Sequence, residues 1–177
     1  MGFWSDWQAA RDRRRRVASY LGHVLSDPDP AQLRWLSELA GEPRVAAREL
    51  AFARRAVGLI VAERDALDDR TAADVAHQLA PIIAGEARQH AENGQAWNDR
   101  WRAYMAALAV RGSMESPAAR LGRVLLEGAG AGHPTPDQLH RATEVIQGHR
   151  SALNEALRAA FGDATLPEDV PPSALRH

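Results

Sequence analysis

Apolar side chains recur along this chain at intervals of three and four residues, the spacing of a helix face. Nowhere do they alternate with polar residues over the length a half-buried strand requires, and Ile and Thr are scarce. The periodic stretches are punctuated by helix-start signals: Asp29-Pro30, Ser116-Pro117 and Thr135-Pro136, with Pro43 opening a further helix. Thr71 and Asp74 stand at capping-box spacing, with Asp in place of the usual Glu or Gln. Asn93-Gly94, Gly112-Ser113 and the stretch from Gly128 to Pro134 read as connections. The pattern predicts helices over about 4–25, 30–40, 43–68, 71–92, 95–111, 117–127 and 136–161.

The faces of these helices suggest how they assemble. On the third, Phe52, Ala56, Leu59, Ile60 and Leu67 share one side, widened by Leu50, Val57 and Val61. So wide an apolar face suits the central helix of a bundle. A second stripe runs through Val75, Leu79, Ile82 and Ile83 and resumes at Trp97, Trp101, Tyr104, Met105 and Leu108. The last helix presents Leu139, Ile146, Leu153, Ala156 and Ala160. The expected fold is all-α, an antiparallel helical bundle of about four long helices with two or three shorter ones. We read residues 1–161 as one domain and 162–177 as a Pro-rich extended tail.

Composition narrows the chemistry. The chain has 177 residues, a formal charge of -1 and no Cys. Thiolate chemistry and disulfides are excluded. All 22 basic residues are Arg. Codon bias in a GC-rich genome would account for this, since Ala and Gly are abundant too; avoidance of Lys-directed modification is the alternative. The consequence is that Lys Schiff-base chemistry is closed and every cation is a planar fork suited to carboxylate or phosphate. The Gly-Ala run at 128–132 lacks the Lys of a phosphate loop and follows a helix. No apolar run reaches the 18 or so residues that span a bilayer. The N-terminal order of aromatics before arginines is the reverse of a secretory signal, so the cytoplasm is the expected compartment.

Polar residues interrupt the apolar stripes. Between Ile83 and Trp97 the stripe positions are Glu86, His90 and Asn93, and Glu86 and His90 lie four apart on one face. His149 occupies a stripe position between Ile146 and Leu153, and Glu63 shares the face of Leu59 and Leu67. Glu86, His90 and His149 together form a candidate core site for a transition metal, with Glu63 as a further oxygen donor. The competing reading pairs Glu86 and His90 with each other or with Arg. No cofactor is expected on that reading, and no nucleophile elbow or triad is evident.

The N-terminal segment 1–25 carries five Arg against Asp6 and Asp12, a local +3. Trp4, Trp7, Ala10, Val17, Leu21 and Val24 line one side of a helix, beside Arg13, Arg14, Arg15 and Arg16. Residues 62–100 hold eight acids against four Arg, a local -4. The expectation is that the tryptophans dock this helix on the bundle or on a partner chain, while the arginines pair with acidic residues. An anionic membrane surface is the alternative for residues 1–16; nucleic acid is disfavoured because no second basic stripe follows. Trp97, Arg100, Trp101 and Tyr104 form an aromatic cluster beside a cation, readable as a partner surface or as core. In the tail, Ser173 to Arg176 resembles the cargo-loading peptides of encapsulin cargo proteins, over four residues that identify no family. The expected function is a non-enzymatic interaction or accessory subunit of a larger assembly, peripheral to a membrane at most. It would contact a protein partner or further copies of itself through Trp4, Trp7, Arg13–Arg16 and the 97–104 cluster. A ferritin-like bundle holding a metal or small ligand is the alternative.

Overall fold

A polar side chain followed by proline starts several helices where the sequence leads us to expect. A computed structural model describes residues 3–65, 69–89 and 91–162, with side chains for all of these except 3–6, 69, 91 and 92. They form α1 (Phe3–Val24), α2 (Pro30–Ala40), α3 (Pro43–Asp65), α4 (Asp69–Gln89), α5 (Ala91–Ala109), α6 (Pro117–Gly128) and α7 (Pro136–Phe161), with no strand among the described residues. The Asp29 carboxylate accepts from the backbone N–H of Ala31 at 2.9 Å and Gln32 at 3.0 Å. Ser116 Oγ accepts from Ala119 at 3.1 Å. Thr135 and Gln138 close a reciprocal capping box. Each cap satisfies an orphan donor and contributes about 1 kcal/mol. α2 stops at Gly41, whose φ of 71° lies in the left-handed region that glycine enters freely.

Two expected boundaries are corrected. α4 begins at Asp69, so Thr71 lies within its first turn and is buried rather than capping. Asn93-Gly94 does not end a helix; both residues lie within α5. Gly94 is glycine because α5 presses against α4 there: an added Cβ would sit 2.6 Å from the Cβ of Ala87. α4 is described to Gln89 and α5 from Ala91; His90 lies outside the described residues.

The architecture is an all-α bundle of five long helices and two short ones, α2 and α6. α3 packs against each of the other six. Its wide face supplies Leu50, Phe52, Ala53, Ala56, Val57 and Val61 to the core. Val75 and Leu79 of α4, Leu125 and Leu126 of α6, and Ile146 and Leu153 of α7 meet it from around the bundle. Among its described side chains α1 contributes Val17, Tyr20, Leu21 and Val24. The Tyr20 hydroxyl donates to the Gly58 carbonyl at 2.7 Å, and Gly58 leaves room for Val24, whose Cγ2 would lie 2.8 Å from an added Cβ. No described helix is long and apolar enough to cross a membrane.

Pro81 lies inside α4 with its ring exposed. It withholds the N–H that would otherwise bond to the carbonyl one turn back. Pro81→Ala is expected to stabilise the chain by about 2 kcal/mol, the helix gain being partly offset by a freer unfolded state. A urea midpoint that rises at constant m-value supports this; an unchanged or lower midpoint shows that α4 depends on the proline.

Candidate functional site

The most buried charge is one that stripe reading passed over. Glu49 lies on α3 three residues before Phe52, at a core position, and is fully buried. A carboxylate taken out of water needs a partner to stay charged. Arg100 of α5 supplies it, its Nε donating to Glu49 Oε2 at 2.6 Å, and Arg48 Nη2 reaches Oε1 at 3.3 Å. Gly128 of α6 closes over the pair: an added Cβ would collide with the Glu49 carboxylate and lie 2.6 Å from Arg100 Nε. The Tyr104 hydroxyl is fully buried nearby and has no hydrogen-bond partner among the described residues. Burial first, then the charge of Glu49, pushes its pKa well above the ordinary tyrosine value. The cluster therefore joins α3, α5 and α6 through one ion pair.

The metal candidates occupy separate environments. Glu86 forms a two-pronged ion pair with Arg55 of α3, Nη1 to Oε2 at 2.6 Å and Nη2 to Oε1 at 2.7 Å. His149 is buried on α7, its Nε2 3.2 Å from Gln32 Oε1 of α2, while Nδ1 has no hydrogen-bond partner among the described residues. His90 lies outside the described residues, and Glu63 is exposed rather than core-facing. Among the described residues no group of three or more His, Asp or Glu is placed to hold a metal ion.

The expected 97–104 surface turns inward. Tyr104 is fully buried, Trp97 is 7% exposed, and Arg100 is committed to Glu49. Trp97 packs on Phe52 with ring centroids 5.5 Å apart and stacks on Trp101 at 5.9 Å. Only Trp101 of the three aromatics remains half-buried. It faces an open apolar groove of about 460 Å³ between α4 and α5, lined also by Leu79, Ile83 and Trp97. Trp97 and Tyr104 serve the core, and Trp101 lies at its edge.

The first half of α1 behaves differently. From Trp7 to Arg16 every side chain is exposed except Arg13, which is half-buried. Arg13 pairs with Asp74 of α4 at 3.4 Å, the expected match between the basic segment and the acidic one. Arg11 lies over the Trp7 ring, 5.5 Å from its centroid. Trp7 is 48% exposed. Arg14, Arg15 and Arg16 have no ion pair among the described residues. The Trp4 side chain and residues 163–177 lie outside the described residues.

Comparison with protein-family models, curated proteins and solved structures finds no match to this chain. The functional reading therefore rests on its own residues.

Two outcomes test this account of the interior. Arg100→Met alone leaves Glu49 buried without its main partner and is expected to cost about 3–5 kcal/mol. Adding Glu49→Leu is expected to recover most of that loss, because an apolar pair of similar size needs no compensation. A double variant as unstable as the single one would show that the ion pair is not the cause. His149 gives a pH signature. Burial, and secondarily the charge of Arg54, lowers its pKa to about 4. With Gln32 Oε1 as acceptor the proton is assigned to Nε2, so further protonation falls on Nδ1. The unfolded chain, with an ordinary histidine near pH 6.5, takes up the proton first as pH falls. The stability that a neutral His149 supports is thus complete above about pH 6.5 and declines toward pH 4, by at most about 3 kcal/mol. In His149→Gln the slope over that window is expected to flatten; an unchanged slope would assign it to other groups.

Proposed function

We propose that this chain is a non-enzymatic interaction subunit of a larger protein assembly, docking through the first half of α1 onto an acidic protein surface. One observation carries the reading: Trp7 to Arg16 form nearly three turns of helix on which every side chain but the half-buried Arg13 is exposed. A helix stretch of that length gains little stability in water from propensity alone and ordinarily relies on packing. Here the packing that begins at Val17 does not extend back to Trp7. The side chains displayed are Trp and Arg, the types enriched at interface anchors.

The chemistry favours a carboxylate-bearing partner. Arg forks match carboxylates in two-pronged geometry, as Arg55 does with Glu86 inside this bundle. On α1 itself Arg13 lies against a carboxylate, that of Asp74, through a single contact of 3.4 Å. A membrane surface is the weaker fit, since α1 is on average polar and Trp7 is the one large apolar side chain exposed between residues 7 and 16. Such a partner is expected in the cytoplasm, the compartment anticipated from the sequence.

A full-length variant carrying Trp7→Ala, Arg14→Glu, Arg15→Glu and Arg16→Glu changes only exposed residues and should melt close to the parent chain. Crosslinking in cells of the source organism is expected to trap an acidic protein with the parent chain and at least tenfold less of it with the variant. Equal trapping by both chains overturns the reading. Flotation of the parent chain with phosphatidylserine vesicles, lost in the variant, would move the site to a membrane surface instead.

A further inference from the structure

A second feature lies away from α1. A partly enclosed cavity of about 230 Å³ opens between α3, α5, α6 and α7. Its walls are apolar, including Ile60 and Val61 of α3, Leu108 of α5, Leu121 of α6 and Ile146 of α7. Each of two wall stripes ends in a cation. On α3, Val57, Ile60 and Val61 lead at helical spacing to Arg64; on α7, Ile146 leads four residues on to Arg150. Both Arg side chains line the cavity and are exposed, which puts their charges at its solvent side.

These two differ from the arginines that turn into the bundle. Arg48, Arg55 and Arg100 bind carboxylates, and Arg54 and Arg120 bind backbone carbonyls. Arg64 and Arg150 make no ion pair among the described residues. Among the described lining residues Asp65 is the one carboxylate, set against the two arginines. The capped N-terminus of α6, at Ser116 and Pro117, adds the positive end of a helix dipole to the same rim.

We infer that this cavity binds a small amphipathic monoanion, an alkyl chain ending in a carboxylate, with the chain between the helices and the carboxylate on Arg64 and Arg150. The volume lies below that of sites for drug-sized ligands, which limits the occupant to a small molecule such as one short chain. The apolar walls provide affinity without direction, while the Arg forks discriminate a carboxylate from a neutral head group.

Titration calorimetry of the full chain with octanoate, octanol and acetate tests the inference. Octanoate is expected to bind saturably, roughly tenfold tighter than octanol, and acetate not at all. Arg64→Gln with Arg150→Gln should abolish the preference for octanoate over octanol. Asp65→Asn should tighten octanoate while leaving octanol unchanged. Ala118→Phe should fill the cavity and weaken both; if that variant fails to fold, the exposed Arg pair still decides the matter. Absence of saturable octanoate binding up to millimolar concentration overturns the proposal. So does equal binding of octanol, or undiminished preference in the Arg double variant.

Discussion

A carboxylate with no access to water sits between three helices, and the packing around it follows from the need to keep it paired. Glu49 holds Arg100 at 2.6 Å, and that one contact ties α3 to α5 across 51 positions of sequence. Gly128 then brings α6 onto the pair, because any side chain there would occupy the space of the carboxylate. Tyr104 is sealed in beside it with its hydroxyl unpartnered among the described residues. Apolar contacts supply most of the driving force for burial, but they do not specify which helix faces which. A buried pair with one geometry is a candidate for that specification, at some cost in desolvation.

The same logic recurs through the bundle with arginine as the strut. Arg55 grips Glu86 to hold α4 on α3. Arg120 donates to the Ala107 carbonyl at 2.7 Å, satisfying an acceptor at the end of α5, and also to the Glu115 carbonyl. Arg54 reaches the His23 carbonyl at the end of α1. Arg141 lies over Trp35, linking α7 to α2. A chain without lysine thus uses its planar, multi-donor cations to join helices where a point charge would satisfy fewer acceptors. Other arginines make no ion pair among the described residues, among them Arg14 to Arg16 on the exposed half of α1 and Arg64 and Arg150 at the cavity rim.

Local signals were the most legible. Asp29-Pro30, Ser116-Pro117 and Thr135-Pro136 start helices because capping depends on three or four neighbouring residues, all visible in sequence. Asn93-Gly94 misled because the same glycine that ends a helix also permits close approach to another, and only the position of Ala87 distinguishes the two. Stripes showed which residues face inward, not what they meet there. Glu86 was singled out for its stripe position, yet its partner Arg55 lies 31 residues away. Glu49 was missed although its spacing to Phe52 and Ala56 placed it on the core face. The Trp97–Tyr104 cluster could be read either way, and burial assigns Trp97 and Tyr104 to the core.

The chain divides into a bundle whose helices are joined by Arg–carboxylate pairs and a first half of α1 whose side chains from Trp7 to Arg16 are exposed apart from Arg13. Residue-resolved amide hydrogen exchange of the free chain measures this division directly. The amides of α3, α5 and α6 around Glu49, Arg100 and Gly128 should exchange only by global opening. Those of Trp7 to Arg16 should exchange by local fraying, far faster than Tyr20 to Val24 of the same helix. Uniform protection along the whole of α1 would contradict it, for it would mean that the Trp/Arg half is already held without a partner.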